Sequence, residues 1–220
     1  MLTIHGRRNS NQVIQLMWTV GELGLEHRRL SVGGAFGGRD TDAFGALNPN
    51  RLVPVIEDDG FVLWESHAIV RYLCRRYGAG GLLPDDPREA ALADQWMQWT
   101  DNHFMPLFFP IFWGLIRTEA SARDDGDLAR RARETGVLLG IVEHRLEGRD
   151  YLVGDTLTMG DIPLGAMMFK YYTLPIERPP LPSVERWYAR LRERPAYREH
   201  AMRDFGRNTA EWKALELEGG

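Results

Sequence analysis

Residues 48–73 read NPNRLVPVIEDDGFVLWESHAIVRYL, and the order of residue types in them decides the architecture. Val53-Pro54-Val55-Ile56-Glu57 is a short apolar strand, Asp58-Asp59-Gly60 a turn, and Phe61-Val62-Leu63-Trp64 a second strand, so the segment predicts a hairpin. Glu65-Ser66 then opens a helix whose apolar residues Ile69, Val70, Leu73 and Cys74 recur at helical spacing. A proline donates nothing to a strand ladder, so Pro54 belongs where no amide is needed. That leaves the polar groups of Val53 free to pair outside the sheet. A helix starting beside an acid and a hydroxyl can hold a small zwitterion. Its first amides and Ser66 take a carboxylate, and Glu65 takes an ammonium.

The elements before this hairpin alternate. Leu2 to Gly6 reads as a strand, and Val13 to Leu23 as an amphipathic helix stopped by Gly24. Glu26 to Val32 is a second strand, Gly33 to Gly38 a flexible loop, and Asp42 to Leu47 a short helix. The order βαβαββα predicts a mixed sheet with helices on both faces. Gly78-Ala79-Gly80-Gly81 and the following Leu82-Leu83-Pro84-Asp85-Asp86-Pro87 break the composition. We therefore expect an α/β domain over 1–80, a linker over 81–87 and an all-α domain over 88–220. Helices are expected from Arg88 to about His103 (Leu92, Trp96 and Trp99 on one stripe) and from Asp127 to Leu146 (with the apolar Leu128, Val137, Leu138, Ile141, Val142 and Leu146). Asp161 to Tyr171, Val184 to Leu191 and Ala196 to Met202 complete the bundle. Thr158-Met159-Gly160-Asp161 has the form of a capping box.

Composition narrows the function classes. Hydrophobic content of 44% and charged content of 26% are ordinary for a soluble domain pair. A net charge of −4, with the 27 basic residues mostly Arg and spread among acids, predicts no nucleic-acid or membrane surface. Cys74 is the one cysteine, so no intramolecular disulfide forms, and its place in a helical run predicts a buried small hydrophobe. The six histidines lack metal-ligand spacing, so no metal is expected. Gly33 to Gly38 lacks the Lys-Ser/Thr of a phosphate loop. No apolar run reaches membrane-spanning length and no leader-like segment stands at the start, so the cytoplasm is the expected compartment.

The Val53-Pro54 and Glu65-Ser66 pairs, in this order, resemble the glutathione transferase superfamily, as do the Thr158–Asp161 box and the stretch from Leu181-Pro182 to Tyr197. The likeness covers nearly the whole chain and is to the bacterial, serine-using, theta- or beta-like cytosolic members. It implies a thioredoxin-like N-terminal domain, an all-α C-terminal domain, a homodimer, and glutathione as co-substrate. It implies a cis bond between Val53 and Pro54, a glutathione site at Leu52, Val53, Pro54, Glu65 and Ser66, and Arg39 for the glycyl carboxylate. It also implies that the Thr158–Asp161 box is structural. Where relatives have glycine before the Val-Pro pair, this chain has Arg51. That predicts either a strained positive φ or a different loop path that lets Arg51 reach the glycyl carboxylate. His67 stands where relatives often have Asn or Gln, and reads as a surface or capping residue.

Glutathione must ionise before it attacks. A free thiol has a pKa near 8.5, and lowering it by two units takes about 2.7 kcal/mol of preference for the anion. One hydroxyl donor plus a helix N-terminus is of that size. The turn Gly6-Arg7-Arg8-Asn9-Ser10-Asn11-Gln12 supplies both. By resemblance Ser10 donates to the thiolate, with Asn11 as the alternative and Asn9 behind it; Ser10 as a mere helix cap also remains open. The aromatic, proline-broken stretch from Phe104 to Trp113 reads as a kinked helix that either walls an apolar electrophile site or packs on a partner subunit. Phe112, Trp113 and Arg117 are its candidate residues, with surface salt-bridging the alternative for Arg117. The reaction expected is glutathione transfer to a small apolar electrophile. Glutathione-dependent disulfide reduction, peroxide reduction, dehalogenation, and a non-enzymatic glutathione-fold binding protein are the alternatives.

Overall fold

A computed structural model describes residues 1–78 and 81–218. Ala79 and Gly80, inside the stretch read as domain end and linker, lie outside the described residues, as do Gly219 and Gly220.

The first half holds β1 (Leu2–His5), α1 (Asn11–Glu22), β2 (His27–Leu30), α2 (Asp42–Leu47), β3 (Val55–Asp58), β4 (Phe61–Trp64) and α3 (Ser66–Tyr77). The sheet order is β2-β1-β3-β4, parallel between β1 and β2 and antiparallel elsewhere. This is the thioredoxin-like arrangement the residue order predicted. The β3–β4 turn is the two-residue Asp59-Gly60, with φ of 49° and 87°. Positive φ at both central positions matches the twist of the flanking strands. The strand expected from Val53 begins two residues later, at Val55. Pro54 has no N–H to give, the Val53–Pro54 bond is cis, and Val53 takes no place in the ladder.

Helix α1 is buried at every position from Val13 to Val20 rather than along one stripe, because it lies between two layers. Val13, Leu16, Met17 and Val20 face the sheet with Leu2, Ile4 and Ile56. Ile14 and Trp18 join the larger core of the helical half, together with Val70 and Cys74 of α3. Gly165 permits this, since a Cβ there would lie 2.9 Å from the Trp18 ring. The end of α1 is tied down as well: Arg194 donates to both carboxylate oxygens of Glu22, at 2.8 and 2.6 Å.

The second half is helical: α4 (Pro87–Trp99), α5 (Met105–Phe112), α6 (Asp125–Arg145), α7 (Ile162–Thr173), α8 (Pro182–Glu193), α9 (Pro195–His200) and α10 (Thr209–Glu218). Asp86 caps α4 by accepting from the amides of Arg88 and Glu89, and Pro87 occupies the first turn, where a missing N–H costs nothing. The expected kinked segment is helical throughout, with π turns over Thr100–Phe104 and Trp113–Arg117 on either side of α5. Pro106 lies in the first turn of α5 and Pro110 inside it, and neither can donate to a preceding carbonyl. The buried stripe of α4 is Ala93, Trp96 and Met97; Leu92 is exposed. On α6 the inward face is Ala132, Thr135, Gly136, Leu139 and Val142, so the apolar Val137 and Ile141 point to solvent. The capping box forms as predicted, and Asp161 adds bonds from Leu152 N and Trp187 Nε1. Helix α10 was not anticipated.

Candidate active site

The β1–α1 turn carries the site. Its start continues the β1–β2 pairing, through Gly6 N to Leu30 O at 2.9 Å and Arg7 N to Val32 O at 3.0 Å. A Cβ on Gly6 would lie 2.5 Å from Val13 Cγ2 and 3.5 Å from Val53 Cβ, so only glycine lets α1 and the Val53 loop close on this turn. Ser10 is the N-cap of α1, with extended φ/ψ of −68° and 130°, and its carbonyl accepts from Ile14 N at 2.8 Å. Its hydroxyl makes no capping bond. The first turn of α1 has no acid, so the positive end of the helix is uncompensated there.

Ser10 and Asn11 line a cavity of about 300 Å³ between the two halves. Arg7, Asn9 and Gln12 share their wall. Met105, Pro106, Phe109, Phe112 and Trp113 form the opposite, apolar wall, and Asp101, Arg117 and Trp212 also line it. The predicted Phe112, Trp113 and Arg117 therefore do meet at one site with Ser10 and Asn11. Arg117 makes no salt bridge among the described residues. Its guanidinium sits 4.0 Å from the Trp113 ring centre and 5.4 Å from that of Trp212. Burial and the like charge of Arg7 push its pKa down.

The hairpin residues adjoin this cavity without lining it. Ser66 Oγ donates to Gln12 Oε1 at 2.8 Å, linking the start of α3 to the first turn of α1. Glu65 is exposed at the mouth of α3 with φ of 70°, a left-handed conformation that a non-glycine residue adopts at a cost. Val53 lies against Gly6 and Gly33, and the exposed Arg39 packs along Gly33. Leu52 is 55% exposed, its carbonyl accepting from Asn48 Nδ2. Arg51 has φ of 55°, so the strained alternative holds; its guanidinium donates to the carbonyls of Arg39 and Thr41. His67 is buried rather than on the surface, with Nε2 3.4 Å from Asp101 Oδ2. Burial lowers its pKa and Asp101 opposes this. Cys74 is fully buried, and burial pushes its thiol up to about 12, so it is no nucleophile. No group of three potential metal ligands occurs among the described residues. No helix of the described residues is long and apolar enough to cross a membrane.

Comparison with known proteins identifies the family. Residues 10–76 match the glutathione S-transferase N-terminal domain, and residues 101–195 the glutathione S-transferase C-terminal domain. The glutathione S-transferase GstB of Escherichia coli K12 is 35% identical over 204 residues, 92% of this chain and 98% of that protein. Glutathione S-transferase F14 of Arabidopsis thaliana is 31% identical over 82% of this chain and 75% of its own length. This chain belongs to the glutathione S-transferase family. Among solved structures, the theta class glutathione S-transferase of Xanthomonas axonopodis pv. citri with glutathione bound superposes with a TM-score of 0.88. It is 46% identical, over 93% of this chain and 99% of that one.

As a glutathione transferase the chain has parts that the sequence did not reveal. Trp212 and Glu216 come from α10: Glu216 accepts from Arg7 Nη1 and Ala35 N, both at 2.8 Å, clasping the C-terminal helix to the β1–α1 turn. Arg7 also donates to Asn9 Oδ1 at 2.6 Å. A faint signal for α10 was present in Asn208-Thr209, an N-cap pair ahead of Glu211 and Trp212. Gln12 and Asp101 carried no signal, because each gains meaning only from a partner distant in sequence.

Proposed function

We propose that the transferase binds glutathione along the Val53, Glu65 and Ser66 edge with the sulfur at Ser10, and couples it to a small apolar electrophile. Val53 main chain pairs with the cysteinyl part, while Glu65 and Ser66 hold the γ-glutamyl end. Arg39 meets the glycyl carboxylate, and Leu52 and Pro54 shape the segment. Ser10 donates its hydroxyl to the thiolate, aided by the α1 N-terminus and by Asn11. Phe112, Trp113 and Arg117 receive the electrophile, and holding both reactants supplies proximity. The observation that carries this reading is the Ser10 hydroxyl: it stands at a helix N-cap, leaves the capping bond unmade and lines the cavity. The family's glutathione-bound member supports the choice of thiol.

Calorimetric titration with glutathione, followed by turnover with a chloronitroaromatic, tests it; no heat on titration would end the reading. Disulfide reduction is the second reading, favoured by the contact of Asn11 with Lys170 Nζ and by the inert Cys74, which leaves glutathione sulfur to do any exchange. Faster turnover of hydroxyethyl disulfide than of the chloronitroaromatic would select it. We further propose two domains, 1–80 and 88–220, in a cytoplasmic detoxifying homodimer. The matches over 10–76 and 101–195 support the division, and the exposed apolar Phe61, Val137 and Ile141 support the dimer.

A further inference from the structure

Of the 27 basic residues only two are lysines, Lys170 and Lys213. Lys213 is exposed on α10, whereas Lys170 is 3% exposed within α7. Arginine keeps its charge almost anywhere, while lysine is the cation whose protonation responds to burial. The chain thus uses its responsive cation once in the interior, directly behind the start of α1.

The polar contacts of Lys170 are few. Its Nζ donates to Asn11 Oδ1, and it lies 5.0 Å from the Phe112 ring centre. Asn11 and Phe112 line the cavity, and Lys170 does not. No Asp or Glu pairs with it among the described residues; the charged group that acts on it is Arg7, of like sign. A buried ammonium without a counter-charge weakens a fold. An anion arriving in the cavity would supply one. An ammonium can only donate, so Asn11 turns its amide oxygen inward and its N–H groups away from Lys170. No acceptor among the described residues takes them.

We propose that Lys170 is a positioning residue for the thiol chemistry: it holds the Asn11 carboxamide with its N–H groups toward the glutathione sulfur and places a positive charge behind the anion formed there. The proposal rests on the cavity being the glutathione site. The thiol releases its proton to solvent, and Lys170 acts through Asn11 without meeting the sulfur. Burial and Arg7 bring its pKa down to about 7, so its charge responds to an anion at neutral pH.

Lysine-selective isotope labelling gives two side-chain NMR signals, with Lys213 as internal control. Glutathione should raise the Lys170 titration midpoint by about one pH unit, and S-methylglutathione, which forms no thiolate, should raise it clearly less. In Lys170→Met, the bound thiol, followed by thiolate absorbance, should titrate about one unit higher. Below neutral pH kcat/KM should then fall about tenfold, recovering at alkaline pH, with S-methylglutathione affinity unchanged. Lys170→Arg should restore part of the loss. An unchanged thiol midpoint in Lys170→Met, or equal Lys170 shifts with both ligands, overturns the proposal while leaving the glutathione site intact. Wild-type protein that binds neither ligand overturns the site and the proposal together.

Discussion

Ser10 has the backbone of a helix cap and withholds the side-chain bond that makes serine a good one. A made cap contributes about 1 kcal/mol. Ser10→Ala should therefore leave the denaturation midpoint nearly unchanged, lower turnover at least tenfold and spare glutathione affinity. Stopped-flow turnover with a parallel glutathione titration reads all but the first, and an unchanged rate would pass the role to Asn11. Lys170 yields a prediction about stability. Its folded pKa, about 7, lies below the ordinary lysine value of 10.5. Between those values the unfolded chain binds the extra proton, so this group makes stability rise with pH through that window. Below pH 7 its burial is a constant burden. Lys170→Met should flatten the rise, seen as a smaller difference between urea midpoints measured at neutral and at alkaline pH. The place of the serine at the start of α1 was legible in sequence because a turn opening a helix is local chemistry. The lysine was not, since nothing near Phe169-Lys170-Tyr171 names the asparagine it holds.

At the scale of elements, the start of α7 is held by one carboxylate. Asp161 accepts from Leu152 N at 2.9 Å, Thr158 N at 3.0 Å, Thr158 Oγ1 at 3.2 Å and Trp187 Nε1 at 3.0 Å, joining α7 to the preceding loop and to α8. Burial pushes its carboxyl up to about 6, and the four donors oppose that. Asp161→Ala would leave buried donors unpaired, so the expected loss is at least about 3 kcal/mol in urea denaturation. Asp161→Asn, which keeps an acceptor, should lose less. The capping box was readable because its spacing is fixed within four residues. The inward face of α6 was readable only in part: Val142 and Leu146 are buried as their spacing suggests, while Val137 and Ile141 fit a helical stripe equally well and lie outside.

Across the whole molecule, α1 is the shared wall of two cores, and this is what brings the β1–α1 turn against α5. The same packing leaves apolar groups uncovered: Val137 is 80% exposed, Ile141 52% and Phe61 48%. If a second copy covers α6, Val137→Glu with Ile141→Glu should convert a dimer to a monomer in light scattering while the urea midpoint of the monomer fold holds. A wild-type monomer would refute the dimer outright.

The sequence by itself determined the element order of the first half, the hairpin and helix that follow Val53-Pro54, the Ser10 turn and the Thr158–Asp161 box, because each depends on residues within a few positions of one another. Only the tertiary structure decided that α10 reaches back to Arg7, that Gln12 takes the Ser66 hydroxyl, and that Lys170 stands behind Asn11. Those contacts span 209, 54 and 159 residues. Side chains so far apart meet through the packing of whole helices, and no local periodicity encodes which partner a buried polar group will find.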